Sequence, residues 1–276
     1  MDKKKIYKRT ISLGVILGII VIFSIYWVNI SIIIRAYNEV DGMVGVVLII
    51  LIRIVILSVS AAYVFHVWFK QEKQYLSDLP FLFGLFFLLL IFGKFIDLLF
   101  DLTFFYYNEE EILTLIKIRY IIIIFNVAPM IYLSIGMILY SLSLKEKYEK
   151  YTNEKRRNKD TFIILFIIVI IEVIAVILTP NRTIIGILLP CIVIPSFITI
   201  IWLFAFAYKN KRLSQVNPLI LTLGFGVYLI SQIIRPLLQN ILGEATSYII
   251  IAETIDLFIF IIIFIGFYKK ANYSSN

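Results

Sequence analysis

The sequence predicts an all-α, polytopic transmembrane helical bundle of eight spans, with the N- and C-termini both inside. Three observations predict it. The chain is 61% hydrophobic, against roughly 45–50% for soluble domains, and its mean hydropathy is +0.97. The apolar residues run in stretches long enough to cross a bilayer, which takes about 20 residues. The polar connections between those stretches alternate in charge. A chain of 276 residues with this composition has more apolar surface than a water-soluble core can hide, so the surplus must face lipid.

The first span, 10–34, follows the basic start MDKKKIYKRT. Its apolar run exceeds the roughly 7–15 residues of a signal-peptide core, and no small-residue cleavage site follows, so it reads as a retained anchor. It carries no ionisable residue and is expected at the periphery, as one extra span beside a seven-helix bundle. The second, 44–69, carries Arg53 and ends in HVWFK. The third, 80–106, opens at Pro80, a residue that fits the first turn of a helix. The fourth, 114–144, contains Lys117, Arg119, Asn126 and Pro129. The connection at 145–160 mixes seven basic and four acidic residues. It reads as a solvated loop near anionic headgroups, with continuation of the fourth helix or a partner-docking site as alternatives. The fifth span, 161–179, carries Glu172. The sixth, 184–208, holds Pro190 and Pro195, which remove backbone hydrogen bonds. The seventh, 218–240, opens at Pro218 and carries Gln232, Arg235 and Gln239. The eighth, 247–268, carries Glu253 and Asp256. All of this forms a single integral membrane domain, 1–276.

Charge asymmetry orients the spans. The two termini and the connections at 70–78, 145–160 and 209–217 hold nineteen Lys/Arg. The opposite connections hold only Arg35 and Arg182, with Glu39, Asp41, Glu109, Glu110, Glu111 and Glu244. Basic residues accumulate on the cytoplasmic side. This places both termini in the cytoplasm and requires an even number of spans. The net charge of +8 is thereby a membrane-topology signal rather than a nucleic-acid signal, and no nucleic-acid partner is expected. Isoleucine- and lysine-rich usage suits a prokaryotic plasma membrane.

A repeat is also visible. From Pro80, the third span places Lys94, Asp97 and Asp101 at the spacing that places Gln232, Arg235 and Gln239 after Pro218. The preceding loops, FKQEKQYLSDLP and YKNKRLSQVNP, resemble each other. This pattern suggests a four-plus-four parallel repeat, 1–138 and 139–276, of the kind some transporters carry.

The chemistry lies in the charges inside the spans. Lys117 can snorkel to the nearby outer end. Nine others cannot: Arg53, Lys94, Asp97, Asp101, Arg119, Glu172, Arg235, Glu253 and Asp256. At 1.5 Å rise per residue, Asp101 lies about 8 Å below the outer end of its helix, Asp97 about 14 Å and Lys94 about 18 Å. The remaining six lie within about 6–14 Å of that same side. Residues three, four or seven apart share a helix face. Lys94, Asp97 and Asp101 therefore form one stripe, Gln232, Arg235 and Gln239 a second, Glu253 and Asp256 a third, and Arg119 and Asn126 a fourth. An ionised side chain at a helix centre costs roughly 2.5–3.5 kcal/mol against lipid, so the nine must turn inward and pair or meet water. The expectation is one polar cavity in the outer half of the membrane, lined by the second, third, fourth, fifth, seventh and eighth spans. Its ligand-binding residues would be Arg53, Lys94, Asp97, Asp101, Arg119, Asn126, Glu172, Gln232, Arg235, Glu253 and Asp256. The residual charge of −1 suits a cationic or zwitterionic ligand.

Other chemistry finds little footing. Cys191 and His66 are single and fall toward opposite membrane faces, which supplies no zinc site. Cys191 reads as a packing residue and His66 as an interfacial anchor. Trp27 and Tyr26 fit an outer aromatic belt. No cofactor or metal is implied, and no nucleophile–base constellation marks an enzyme.

The stretch from the second to the fifth span carries a recognisable layout. A span ends in HVWFKQEK, and PFLFGLFFLLLIFGKFIDLLFD begins the next. IKIRYIIIIFNVAPMIYLSIGMIL follows an acidic loop, with Arg119-Tyr120 and Pro129, and a later span ends in TPNRT. This half of the chain resembles the seven-transmembrane sensor region at the N-terminus of some histidine kinases. The resemblance implies a sensor without its own output domain, signalling through a partner. The reading is then a receptor- or sensor-like membrane protein that binds a small polar ligand, contacts membrane lipids and engages a cytoplasmic signalling partner or a membrane subunit. Its output would run through the fourth span into 145–160. Two alternatives stand beside it. One is a secondary transporter using the carboxylates for proton or cation coupling, and the other an accessory subunit whose ion pairs are structural.

Overall fold

A computed structural model describes residues 3–243, 245–271 and 273. Glu244 and the chain ends lie outside the described residues. The regular elements among those described are all helical, and eight of the helices are long and apolar enough to cross a membrane. The protein is therefore an all-α, multi-pass membrane protein, and its outward apolar faces contact lipid. The chain divides into two compact units, Met1–Ile123 and Ile124–Asn276.

The first unit holds α1 (Lys3–Val28), α2 (Ile30–Glu39), α3 (Met43–Lys70), α4 (Leu79–Thr103) and the first part of α5 (Glu109–Leu142). The apolar run expected at 10–34 is interrupted at Asn29. Its side chain donates to the Ile25 carbonyl (2.8 Å) and accepts from the Tyr107 hydroxyl. Such local amide bonding competes with the helix ladder. The short helix beyond it is two-faced, with Ile32, Ile33 and Ala36 turned inward and Arg35 and Glu39 exposed.

The second span forms α3, whose buried face follows helical spacing: Met43, Val46, Ile50, Arg53, Leu57, Ala61, Val64 and Trp68. Arg53 therefore points inward with the apolar stripe. α3 packs along α4, the most buried of the spanning helices. The joint between them is fixed by Trp68, whose indole donates to Asp78 Oδ2 (3.1 Å) while its ring lies 4.7 Å from that of Phe81. α5 opens with a reciprocal capping box, in which Asn108 and Glu111 each accept from the other's backbone N–H (2.9 and 3.0 Å). Among the described residues of α1 none is buried.

The second unit holds the rest of α5, a short 3-10 segment (Glu146–Thr152), α6 (Glu154–Leu178), α7 (Arg182–Lys209), α8 (Pro218–Leu242) and α9 (Thr246–Tyr268). α5 stops at Leu142 and does not run on into the charged connection, where Ser143 Oγ bonds the Tyr140 carbonyl (2.6 Å). The charged stretch instead feeds α6, which starts at Glu154 rather than 161. Asparagines cap three helices, with Asn153, Asn181 and Asn217 accepting from Arg156 N, Ile184 N and Ile220 N. α7 stays helical through Pro190 and Pro195. α8 and α9 approach closely at glycines. A Cβ at Gly266 would lie 2.8 Å from Leu221 Cδ2, and one at Gly224 2.8 Å from Ile263 Cγ1. The backbone N–H of Asn217 reaches the Gly266 carbonyl at 2.8 Å. Small residues at a helix crossing allow this approach in lipid.

Candidate functional site

The predicted residues fall into the two units. Arg53, Lys94, Asp97, Asp101 and Arg119 belong to the first, and Asn126, Glu172, Gln232, Arg235, Glu253 and Asp256 to the second. Each unit brings part of its set together.

In the first unit the centre is Asp97. Lys94, one turn earlier on α4, places Nζ 2.6 Å from Asp97 Oδ2. Arg119, on α5, places Nε 2.5 Å from Asp97 Oδ1. Lys94 and Asp97 are both buried. One carboxylate thus links a cation of its own helix to a cation of the next. The arrangement follows from the stripe spacing, which turns these side chains away from lipid and toward the neighbouring helix. Asp101 lies half-buried one turn further along the same face. Arg53 is fully buried on α3.

Tyr26, read from the sequence as a belt residue, donates its hydroxyl to the Phe95 carbonyl on α4 (2.7 Å). Beside it, Trp27 is exposed.

In the second unit the centre is Arg235. Its Nη2 lies 2.5 Å from Asp256 Oδ2, 3.5 Å from Glu253 Oε1 and 3.3 Å from the Ala252 carbonyl. Glu253 and Asp256 are 4% and 1% exposed, so this arginine meets two carboxylates withdrawn from solvent. Ser231 Oγ donates to the other oxygen of Asp256 (2.9 Å). Sequence reasoning missed Ser231 and singled out Gln232 instead. The available signal was position, because Ser231 lies four residues before Arg235 and shares its face. Gln232 is half-buried, and its Nε2 makes no hydrogen bond.

Asn126 is buried on α5. Glu172 is half-buried on α6, and its Oε2 makes no hydrogen bond. Cys191, expected in packing, is exposed on α7, and His66 is exposed on α3. Among the described residues no group of three or more His, Cys, Asp or Glu is placed to hold a metal.

A third polar cluster joins α2 to the turn after α4. Arg35 pairs with Glu39 (3.0 Å), and its guanidinium lies 4.9 Å from the centroid of the Tyr106 ring. The Tyr106 hydroxyl donates to Glu39 Oε2 (2.9 Å). The bond from Tyr106, then that from Arg35, holds the Glu39 carboxyl below its ordinary range. Burial and the bond to Glu39 hold the Tyr106 hydroxyl above its own.

No family model matches this chain, and no curated protein or solved structure matches it.

Proposed function

We propose that this protein is a receptor- or sensor-like membrane protein that binds a small polar ligand at its intramembrane charges. The observation that carries the reading is the pairing of Arg235 with both Glu253 and Asp256. Intramembrane ionisable groups are functional by default, and here one of the two contacts is loose. Asp256 is held at 2.5 Å and also by Ser231. Glu253 sits at 3.5 Å. A ligand amine would compete with Arg235 for Glu253, the longer of its two contacts, and leave the Arg235–Asp256 pair in place. The other ends of α8 and α9 are pinned by the Gly224 and Gly266 crossing and the Asn217–Gly266 bond. Ligand entry then tilts α9 about that crossing.

The charge asymmetry of the connections supports a prokaryotic plasma membrane location with both termini cytoplasmic. In that orientation the pinned crossing lies near the cytoplasmic face and the charged clusters toward the outer one. The connection at 145–160 is the surface offered to a cytoplasmic partner, reached through α6 because α5 ends before it. The resemblance to kinase-linked sensor regions supports the same direction of signalling.

The test is thiol accessibility. Full-chain protein carrying Cys191→Ser receives one cysteine at Ser231 or at Asp101, in sealed vesicles of known orientation. An impermeant thiol reagent is added from each face in turn. Labelling from the outer face alone is the expected result. Labelling from both faces would replace sensing with transport. Protection from both faces would leave the ion pairs as structural and remove the ligand site.

A further inference from the structure

At the far end of the second unit two arginines converge on one tyrosine. Tyr140 lies in the last turn of α5, Arg157 in the first turns of α6 and Arg212 in the turn after α7. The guanidinium carbons of Arg157 and Arg212 lie 5.3 and 4.8 Å from the centroid of the Tyr140 ring. Neither arginine takes part in the salt bridges among the described residues. The ring attracts each cation, while the two like charges repel each other. An anion between them converts that repulsion into attraction.

The Arg212 backbone and the Arg157 side chain are held in place. Arg212 sits between two non-glycine residues in the left-handed region, Lys211 at φ 50° and Leu213 at φ 58°. That conformation is costly for residues with a Cβ and persists where the surroundings enforce it, commonly at ligand sites. Here the Arg212 N–H donates to the Ala207 carbonyl (2.8 Å), and its own carbonyl accepts from the Tyr273 hydroxyl. Arg157 is fixed through Nη1, which donates to the Tyr151 carbonyl (3.3 Å).

The packing register of α5 and α6 completes the arrangement. A Cβ at Gly136 would lie 3.9 Å from Thr161 Oγ1. One turn further along each antiparallel helix brings Tyr140 to Arg157. In these same turns Ser141 Oγ and Thr161 Oγ1 are buried and make no hydrogen bond. Thr161 is 1% exposed. Ser141 is next in sequence to Tyr140, and Thr161 lies one turn after Arg157.

We propose that Arg157, Arg212 and Tyr140 form a binding site for a phosphate group, with the hydroxyls of Ser141 and Thr161 close enough in the chain to support it. Guanidinium forks match pairs of phosphate oxygens. The site lies where three spanning helices end, among Lys155, Arg156, Lys159, Lys209 and Lys211. That position fits the headgroup of an anionic phospholipid, attracted to basic residues at the bilayer edge. Free phosphate presents the same oxygens. The inference stands on the membrane reading alone and not on the ligand-sensing proposal.

Native mass spectrometry of the full-chain protein in detergent tests it, with phosphatidylglycerol, phosphatidylcholine and inorganic phosphate as probes. We expect phosphatidylglycerol to be retained over phosphatidylcholine by about tenfold. The paired substitution Arg157→Ala with Arg212→Ala should erase that preference. Lys155→Ala with Lys209→Ala, which removes equal charge from the same region, should lower it far less. Phosphate binding that depends on both arginines, without a lipid preference, would assign the site to free phosphate. An undiminished lipid preference in the arginine variant would overturn the site, as would equal losses in both double variants. Should the alanine pair fail to fold, Arg157→Lys with Arg212→Lys keeps the charge and loses the forks. A several-fold drop is expected there, and an unchanged preference would overturn the proposal equally.

Discussion

Asp256 accepts from Arg235 and Ser231 on its two oxygens, and this geometry ranks substitutions. Removing Arg235 leaves two carboxylates without that cation. Breaking a buried pair from one side costs about 3–5 kcal/mol. Arg235→Ala should therefore lower the thermal stability of the detergent-solubilised protein sharply, and Ser231→Ala should cost about 1 kcal/mol. Exchanging the charges, as Arg235→Asp with Asp256→Arg, should recover much of what either single reversal loses. No recovery would mean that the two residues are not mutual partners.

The Glu39 carboxyl, held low by Tyr106 and Arg35, gives a pH prediction. A carboxyl lowered on folding stabilises above its unfolded value, and that contribution fades as pH falls through the folded one. The Arg35–Glu39–Tyr106 cluster should therefore persist at neutral pH. It should open only below the ordinary glutamate value of 4.5. A carboxyl-labelled NMR titration of Glu39 reads this, and Tyr106→Phe should move Glu39 back toward that value. At this scale Asp97, Arg119, Arg235 and Asp256 were legible because a charge in an apolar helix must find a partner. Ser231 was not legible, because a serine in a span can satisfy itself on its own helix, as Ser134 and Ser196 do here.

Helix interiors were easier to read than helix ends. Apolar length alone located the spanning helices, since each needs about 20 residues to cross. The ends depended on single polar contacts with little weight in a hydropathy profile. Asn29 splits an apolar run that looks continuous through NISIII. The Ser143 side chain and the Asn153 cap divide the charged stretch after α5, which composition allowed to be helical throughout. Glycine positions carry an element-scale prediction. Gly266→Leu would drive a side chain into Leu221 and Ile220, and overpacking of this kind costs about 1–3 kcal/mol. Gly226 faces open space, so Gly226→Ala should be neutral or stabilising, as alanine exceeds glycine in helix propensity. Thermal unfolding of the two variants side by side distinguishes a close crossing from two helices that merely lie near each other.

Across the whole chain, composition and periodicity indicated the all-α class and eight spanning helices, because lipid admits few ways to satisfy a backbone. The grouping of the charges was not legible. Sequence spacing gives depth and face along one helix but not which helices are neighbours. Within the first unit Lys94, Asp97 and Arg119 meet, and within the second Ser231, Arg235, Glu253 and Asp256. In both units an aspartate and an arginine meet at 2.5 Å between consecutive helices, with the order of the charges reversed. In the proposed reading both termini are cytoplasmic, which requires an even number of crossings. Single cysteines in the connections of a Cys191→Ser background, labelled in oriented vesicles, test that number directly. The account predicts labelling of Lys5, Tyr75, Tyr148 and Lys211 positions from the cytoplasmic face alone, and of Tyr37, Tyr107 and Asn181 positions from the outer face alone. A connection labelled from the opposite face would contradict eight crossings with both termini inside.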